Sequence, residues 1–263
     1  MLTKIFATIA VVITGGLLLY GVADFPHFGD PHSPANAGIG NEKSISQYFI
    51  TETYNDTKVP NLVTAVLADY RGYDTMFETV VIFAAGIAIF SILRVTGDDA
   101  EKKSARPPLV SSVNGDHQRI IIGTTCRLVI PVVQLFALYV VAHGHHSPGG
   151  GFQGGVILGA SFIMVAMSEN LNAALRRFSE KTYLTLACVG ILIYAGFGVL
   201  CQFLERNFLD YGVLEKVLFT EGSEMARSHS MLGVEIGVAF TVTAIMFAIY
   251  ANLSSRGVLK NGL

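Results

Sequence analysis

Six apolar stretches limit what this chain can fold into. Each approaches the ~20 residues that a helix needs to cross the hydrocarbon core of a bilayer. They run from Leu2 to Val22, Thr79 to Val95, Ile120 to Ala142, Gln153 to Ser168, Tyr183 to Leu204 and Met231 to Leu253. Backbone polar groups in lipid must be satisfied within their own segment, so such stretches read as helices. With 51% of 263 residues hydrophobic and 14% charged, the composition lies outside the range of soluble domains. The expected fold is all-α, a polytopic membrane bundle of about six transmembrane helices. Met1 to Tyr20 has one lysine and an apolar run longer than a secretory signal core, so it reads as a retained first span.

Lysine and arginine gather on the cytoplasmic side of a membrane. With the amino terminus inside, eleven basic residues fall inside, among them Lys102, Lys103, Arg106, Arg176 and Arg177. Six fall outside, among them Lys58, Arg71, Arg206 and Arg227. That contrast predicts a multi-pass protein of the inner (cytoplasmic) membrane with both termini cytoplasmic. The segment from Thr96 to Asp116 is charged, contains two prolines and is poor in large apolar residues, as linkers are. It divides the chain into a two-span module (1–98), a linker (99–117) and a four-span domain (118–263). In the long first outer loop, Val59 to Asp69 opens with Pro60, suited to a first helical turn. A short helix lying on or dipping into the membrane is expected there.

One stretch breaks the pattern. His143 to Gly155 (HGHHSPGGGFQGG) carries six glycines, one proline and three histidines. Glycine and proline oppose a helix, and irregular backbone at membrane depth survives only where protein covers it or a watery cavity adjoins it. Ser147, Pro148, Gly149, Gly150, Gly151, Gly154 and Gly155 therefore form a packing corner or part of a polar path. Gly154, Gly155 and Gly159 also suit close helix packing.

Few residues can carry chemistry. Glu235 lies in the last span, where an ionisable group is a functional candidate by default. Arg127, in the third span, is its natural partner or snorkels to the inner interface. Pro131 and Gln134 lie further along that span. His145 and His146 suit a structural or proton-relaying role. A zinc site is disfavoured, because no cysteine or carboxylate lies near the histidines in sequence. Asp69, Arg71, Asp74 and Glu78 cluster just before the second span. Asp69, Arg71 and Asp74 read as local ion pairs of a membrane-edge loop, while Glu78 stands at the helix entrance. Cys126, Cys188 and Cys201 lie in apolar segments without metal spacing. No phosphate loop, GxGxxG, GxSxG, HExxH or CxxC occurs. No basic stripe suggests nucleic acid. No cofactor is implied.

The stretch PVVQLFALYVVAHGHHSPGGGFQGGVILGAS (Pro131 to Ser161), with EIGVAFTV (Glu235 to Val242), resembles the MnhB/MrpB family, the B-type subunits of the Mrp-type multisubunit cation/proton antiporters. GDPHSPANAG (Gly29 to Gly38) and VPNLVTAVLADYRGYDTMFETVVIFAAGI (Val59 to Ile87) look like the small subunit, or the carboxyl-terminal part of the large A-type subunit, that accompanies MnhB/MrpB. That form is especially similar to modules of membrane-bound hydrogenases and ferredoxin-linked complexes. The resemblance implies a transporter subunit, not an enzyme, that works with other Mrp-type subunits (A, C, D, E, F and G-like) to exchange Na+ or a similar cation for H+. Hydrogenase or ferredoxin-linked subunits are further implied partners. Glu78 would be the acidic residue of the D-T-M-x-E motif. His145, Ser147 and Gly149 to Gly151 would form the family's corner. Glu235 matches only as an acidic position in the last span. A structural adaptor, whose polar residues merely bind partner helices, is the competing reading. A membrane enzyme using the histidines and a metal is a third.

Overall fold

The computed structural model describes residues 2–37, 43–94 and 116–258. The expected linker lies outside them except for its last two residues. Among the described residues there is no strand, and six helices are long and apolar enough to cross a membrane. The protein is an all-α, multi-pass membrane bundle.

Two compact units divide between Glu52 and Thr53. The first contains α1 (Leu2–Ala23), apolar on all sides, and the start of α2 (Ile45–Thr57). Ile45 N–H donates to Pro34 O at 3.2 Å, and Lys43 pairs with Glu52. The second unit holds α3 (Leu62–Ala65), continued by a π turn (Val66–Tyr70), then α4 (Gly72–Leu93) and α5 (Asp116–Ala142). Next come α6 (Gly151–Ser168), α7 (Leu171–Arg177), α8 (Glu180–Phe203), α9 (Glu215–Leu218) and α10 (Ser223–Ser254).

The long helix α10 is the axis of this unit. It packs on α4, α6 and α8, and α6 packs on α5 with its other side. These contacts are made backbone to backbone. A Cβ on Gly155 would lie 3.0 Å from Ala239 O, and one on Gly159 would lie 3.1 Å from Thr243 O. On the α8 side, a Cβ on Gly190 would lie 2.3 Å from Gly237 O. Lipid tails supply no hydrophobic drive between helices, so small residues that admit close packing carry the association. The threonines of α10 exploit the approach. Thr243 Oγ1 donates to Gly155 O and Thr241 Oγ1 to Ala187 O, each at 3.0 Å. Toward the carboxyl end of α10, Phe162, Phe178, Tyr183 and Phe247 fill the space with rings.

The helices differ from expectation mainly at their starts. The second span begins at Gly72, not Thr79, so the polar residues Asp74 to Glu78 form its first turns. The last begins at Ser223, not Met231, which places Glu235 about three turns inside rather than one. The glycine run is not wholly irregular, because Gly151, Gly154 and Gly155 are helical. Each costs about 1 kcal/mol of helix propensity against alanine, offset by contacts a side chain would forbid. Pro60 precedes the helix instead of opening it, and Asn61 is the N-cap. α5 continues through Pro131. The helix α2 carries no apolar run that would announce it in the sequence.

Gly190→Val should overpack the α8–α10 seam and cost about 1–3 kcal/mol or more. Gly196→Val, on the same helix with nothing within 4 Å of its Cβ position, should be near neutral. Thermal unfolding of the purified protein in detergent compares them. Equal melting temperatures would contradict the seam.

Candidate functional site

The corner between α5 and α6 folds back on the last turn of α5. His143 N–H bonds to Tyr139 O at 2.8 Å, and Gly150 N–H returns to Val140 O at 3.1 Å. Gly150 sits at φ +127°, a region open essentially to glycine alone. A Cβ on Gly149 would lie 2.7 Å from Val140 O. The turn therefore needs these glycines.

The corner is clamped from the amino-terminal half of the chain. Asn61 N–H donates to His145 O at 3.0 Å, and its side-chain Nδ2 reaches Gly144 O at 2.7 Å and Ser147 O at 2.8 Å. Thr64 Oγ1 also donates to Gly144 O, at 2.8 Å. Asn61 Oδ1 meanwhile accepts from Val63 N–H at 3.1 Å, capping α3. One asparagine thus starts a helix and closes a loop more than 80 residues away.

Behind the corner lies Glu235, buried to 8% exposure. A Cβ on Gly150 would fall 2.8 Å from its Oε1, and one on Gly144 would fall 3.0 Å from its Oε2. The glycines thus form a recess for the carboxylate. Its Oε2 is buried, with no hydrogen-bond partner among the described residues. A cavity of about 170 Å³ opens beside it. The polar side chains lining it are Thr64, Thr75, Glu78, Gln153, Tyr194 and Glu235. The structure therefore brings Glu78 and Glu235 to one cavity, although Glu78 itself is largely exposed. A buried carboxylate beside an oxygen-lined cavity can take up a proton or a cation.

The other candidates are placed differently. Arg127 does not reach Glu235. It is 73% exposed and faces Glu169 at 3.6 Å, which also accepts from Arg177 at 3.2 Å. Arg71 and Asp74 pair with each other at the surface. Asp69 does not belong to that surface set. It is buried against Arg227 of α10 at 2.6 Å, and Arg227 lies over the Tyr70 ring. Burial pushes the Asp69 carboxyl up, and the Arg227 hydrogen bond and charge only partly pull it back. His146 and Pro148 are exposed, and His143 stacks on Tyr139 at 4.8 Å. His145 Nε2 is buried without a partner among the described residues, and burial, then His146 and His229, hold its pKa down.

Sequence reasoning missed Asn61, Thr64, Tyr194 and Arg227 as parts of the site. Asn61 after Pro60 carries an N-cap signal, but nothing local tells that its amide crosses to the corner. Arg227 reads in the sequence only as a loop charge.

Fold and cavity define a multi-pass membrane protein with a buried carboxylate, unpartnered among the described residues, at a glycine corner. Residues 121–248 match the family model described as a domain related to the MnhB subunit of Na+/H+ antiporter, and residues 38–107 match that of MbhE, the E-type subunit of MBH. The chain carries an MnhB-related domain, preceded by a segment that matches MbhE. It is 26% identical over 181 residues to the probable A/B subunit of a K(+)/H(+) antiporter of Rhizobium meliloti (strain 1021). That match covers 64% of this chain but only 18% of the relative. Two solved structures share the fold. A chain of the membrane-bound sulfane sulfur reductase, an archaeal respiratory membrane complex, aligns with TM-score 0.59 and 21% identity over 97% of this chain and 99% of its own. A chain of the Mrp complex from Dietzia sp. DQ12-45-1b aligns with TM-score 0.60 and 22% identity, over 96% of this chain and 26% of its own.

His145 makes the fold sensitive to acid. Its folded pKa lies below the ordinary 6.5, so on acidification the unfolded chain takes the proton first. Stability should fall from about pH 6.5 down to the folded pKa and then level off. Melting temperatures of the wild type and His145→Gln, recorded from about pH 8 to about pH 5, check this. The variant should lose part of the acid slope.

Proposed function

We propose that this chain is an integral membrane subunit of a multisubunit cation/proton antiporter, and that its corner cavity belongs to the cation path. The cation exchanged for H+ is Na+ or a similar one. Its partners are the other Mrp-type subunits (A, C, D, E, F and G-like), with the contacts between neighbours made partly by its exposed apolar faces. The related domains and the shared fold support membership of such an assembly. The likeness to MbhE and to a respiratory complex further supports a redox-linked setting, in which hydrogenase or ferredoxin-dependent subunits supply the driving force. We read the chain as two modules (1–98 and 118–263) joined by a linker (99–117), together forming one site.

The observation that carries this reading is the shared cavity. Glu78 stands on α4 and Glu235 on α10, yet both line it. An unpaired carboxylate at membrane depth is costly to maintain. A purely structural adaptor has no need of one.

Antiport in inverted vesicles, with assembly followed on native gels, tests the reading. Glu235→Gln should reduce exchange by at least about tenfold, the scale of a lost charge-assisted contact, while the complex assembles. Glu78→Gln should weaken exchange less, because Glu78 is exposed. Full exchange in both variants would make the chain a scaffold.

The distribution of basic residues supports cytoplasmic termini, with the corner on the outer side. In a cysteine-free background, Pro148→Cys should react with an impermeant maleimide added to intact cells. Asn172→Cys should react only in inverted vesicles. The opposite pattern would reverse the orientation.

A further inference from the structure

Three hydroxyls line the cavity beside Glu235, and each has committed its single proton to backbone. Thr64 Oγ1 donates to Gly144 O, Thr75 Oγ1 to Leu67 O and Tyr194 OH to Gly72 O, all at 2.8 Å. A hydroxyl has one donor and two acceptor lone pairs. These three can therefore offer the cavity only lone pairs. Thr64 already accepts from Asn61 Nδ2 at 2.9 Å, and the Tyr194 hydroxyl adjoins that of Tyr211, which leaves Thr75 the freest of the three. Ionised carboxylates accept only, so Glu78 and Glu235 add four more oxygens of the same kind. Gln153 completes the polar lining. Its Oε1 and Glu235 Oε1 lie against the same Gly150, 3.4 and 2.8 Å from the Cβ position there. No lysine, arginine or histidine is among the residues lining the cavity.

A lining of this kind suits a metal cation better than a proton relay. A relay passes protons through groups that donate and accept in turn. A hydroxyl pinned to a carbonyl cannot turn over without breaking that bond and stranding a polar group, at about 1–3 kcal/mol. An alkali cation leaving water needs the opposite, fixed oxygens that replace its hydration shell. The charge balance fits one positive charge. Glu235 is buried with an unpartnered Oε2, whereas Glu78 is exposed and screened by its surroundings. The first turn of α6 (Gly151, Phe152, Gln153) shares the wall. The positive end of its dipole favours an ionised carboxylate there. At ~30 Å³ for each water in the liquid, a cavity of about 170 Å³ holds a cation together with a few waters.

We propose that this cavity is a binding site for a partly dehydrated monovalent alkali cation. Glu235, Thr75, Tyr194 and Gln153 supply oxygens from the protein, and Glu78 stands at the open side. The proposal rests on the antiporter reading above and adds what the site holds.

The test uses the purified native complex and dicyclohexylcarbodiimide, which attacks protonated carboxyls in apolar surroundings. Modification of the peptide containing Glu235 is followed by mass spectrometry in choline chloride and in the chlorides of lithium, sodium and potassium. At least one alkali salt should slow the modification relative to choline. Thr75→Val should raise its half-protecting concentration about tenfold, the scale of one ligand to a charge. Thr75→Ser should restore it. Equal rates in all four salts would overturn the cation site. If Glu235 does not react at all, binding of radioactive sodium and rubidium to the complex decides. A bound ion lost in Glu235→Gln supports the site, and unchanged binding overturns it. Antiport by Glu235→Gln separates this proposal from its premise. Lost antiport with salt-independent modification removes only the cation site. Retained antiport with salt-protected modification removes only the transport role.

Discussion

α6 meets α10 with almost no side chain between them, and the site is a consequence of that contact. Gly151 is so close to α10 that a Cβ there would lie 2.0 Å from the carbonyl oxygen of Glu235. Helices this near to each other leave no room for a gradual turn into α6. The chain must double back on α5 through a tight corner, and Gly150 provides the backbone angle for it. The recess left between corner and α10 is lined by glycine Cα atoms. The carboxylate of Glu235 fills it. Packing in lipid rests on such fit rather than on a hydrophobic drive, so one row of glycines sets the helix spacing, the corner and the surroundings of the acid.

The contacts that close the site come from distant parts of the sequence. Asn61 and Thr64 hold the corner, Tyr194 of α8 holds the start of α4 at Gly72, and Asp69 holds Arg227. All are polar and several are buried, so each half of the chain needs the other to satisfy its groups. Removing one partner of a buried pair leaves an uncompensated charge and costs about 3–5 kcal/mol. Such contacts specify one arrangement of α3, α4, α8 and α10 more than they stabilise the bundle.

The spans were legible because their signal is the length and purity of apolar runs, which lipid imposes on each segment separately. Their starts were not. The first turns of α4 and α10 are polar and look like loops in the sequence, but they continue as helix where they reach past the apolar layer. The glycine run carried the right warning, a corner, yet half of it is helical because neighbouring backbone supports it. Glu235 was legible as a lone acid in an apolar stretch. Thr75 and Tyr194, which line the cavity with it, were not, since a threonine or tyrosine in a helix looks alike whether it faces lipid or a cavity. Of the two readings of Arg127, a partner of Glu235 or a snorkelling side chain, the pair is not formed and the guanidinium is exposed beside Glu169. Residue type allowed either, and depth in the bundle decided.

The buried acids separate into two kinds. Asp69 meets Arg227, and Glu180 at the start of α8 meets Arg94 at the end of α4. Partly buried Glu169 meets Arg127 and Arg177. Each has a counter-charge and a place between two elements, which suffices to explain it as a tie. Glu235 is about as buried as Glu180, but among the described residues no cationic side chain stands beside it. An apolar residue of similar size would fill the glycine recess without the cost of desolvating a carboxyl. Packing therefore accounts for the recess but not for the acid within it. Among the described residues no counter-charge offsets that cost; under the reading proposed above, a cation held by the acceptor oxygens of the cavity does.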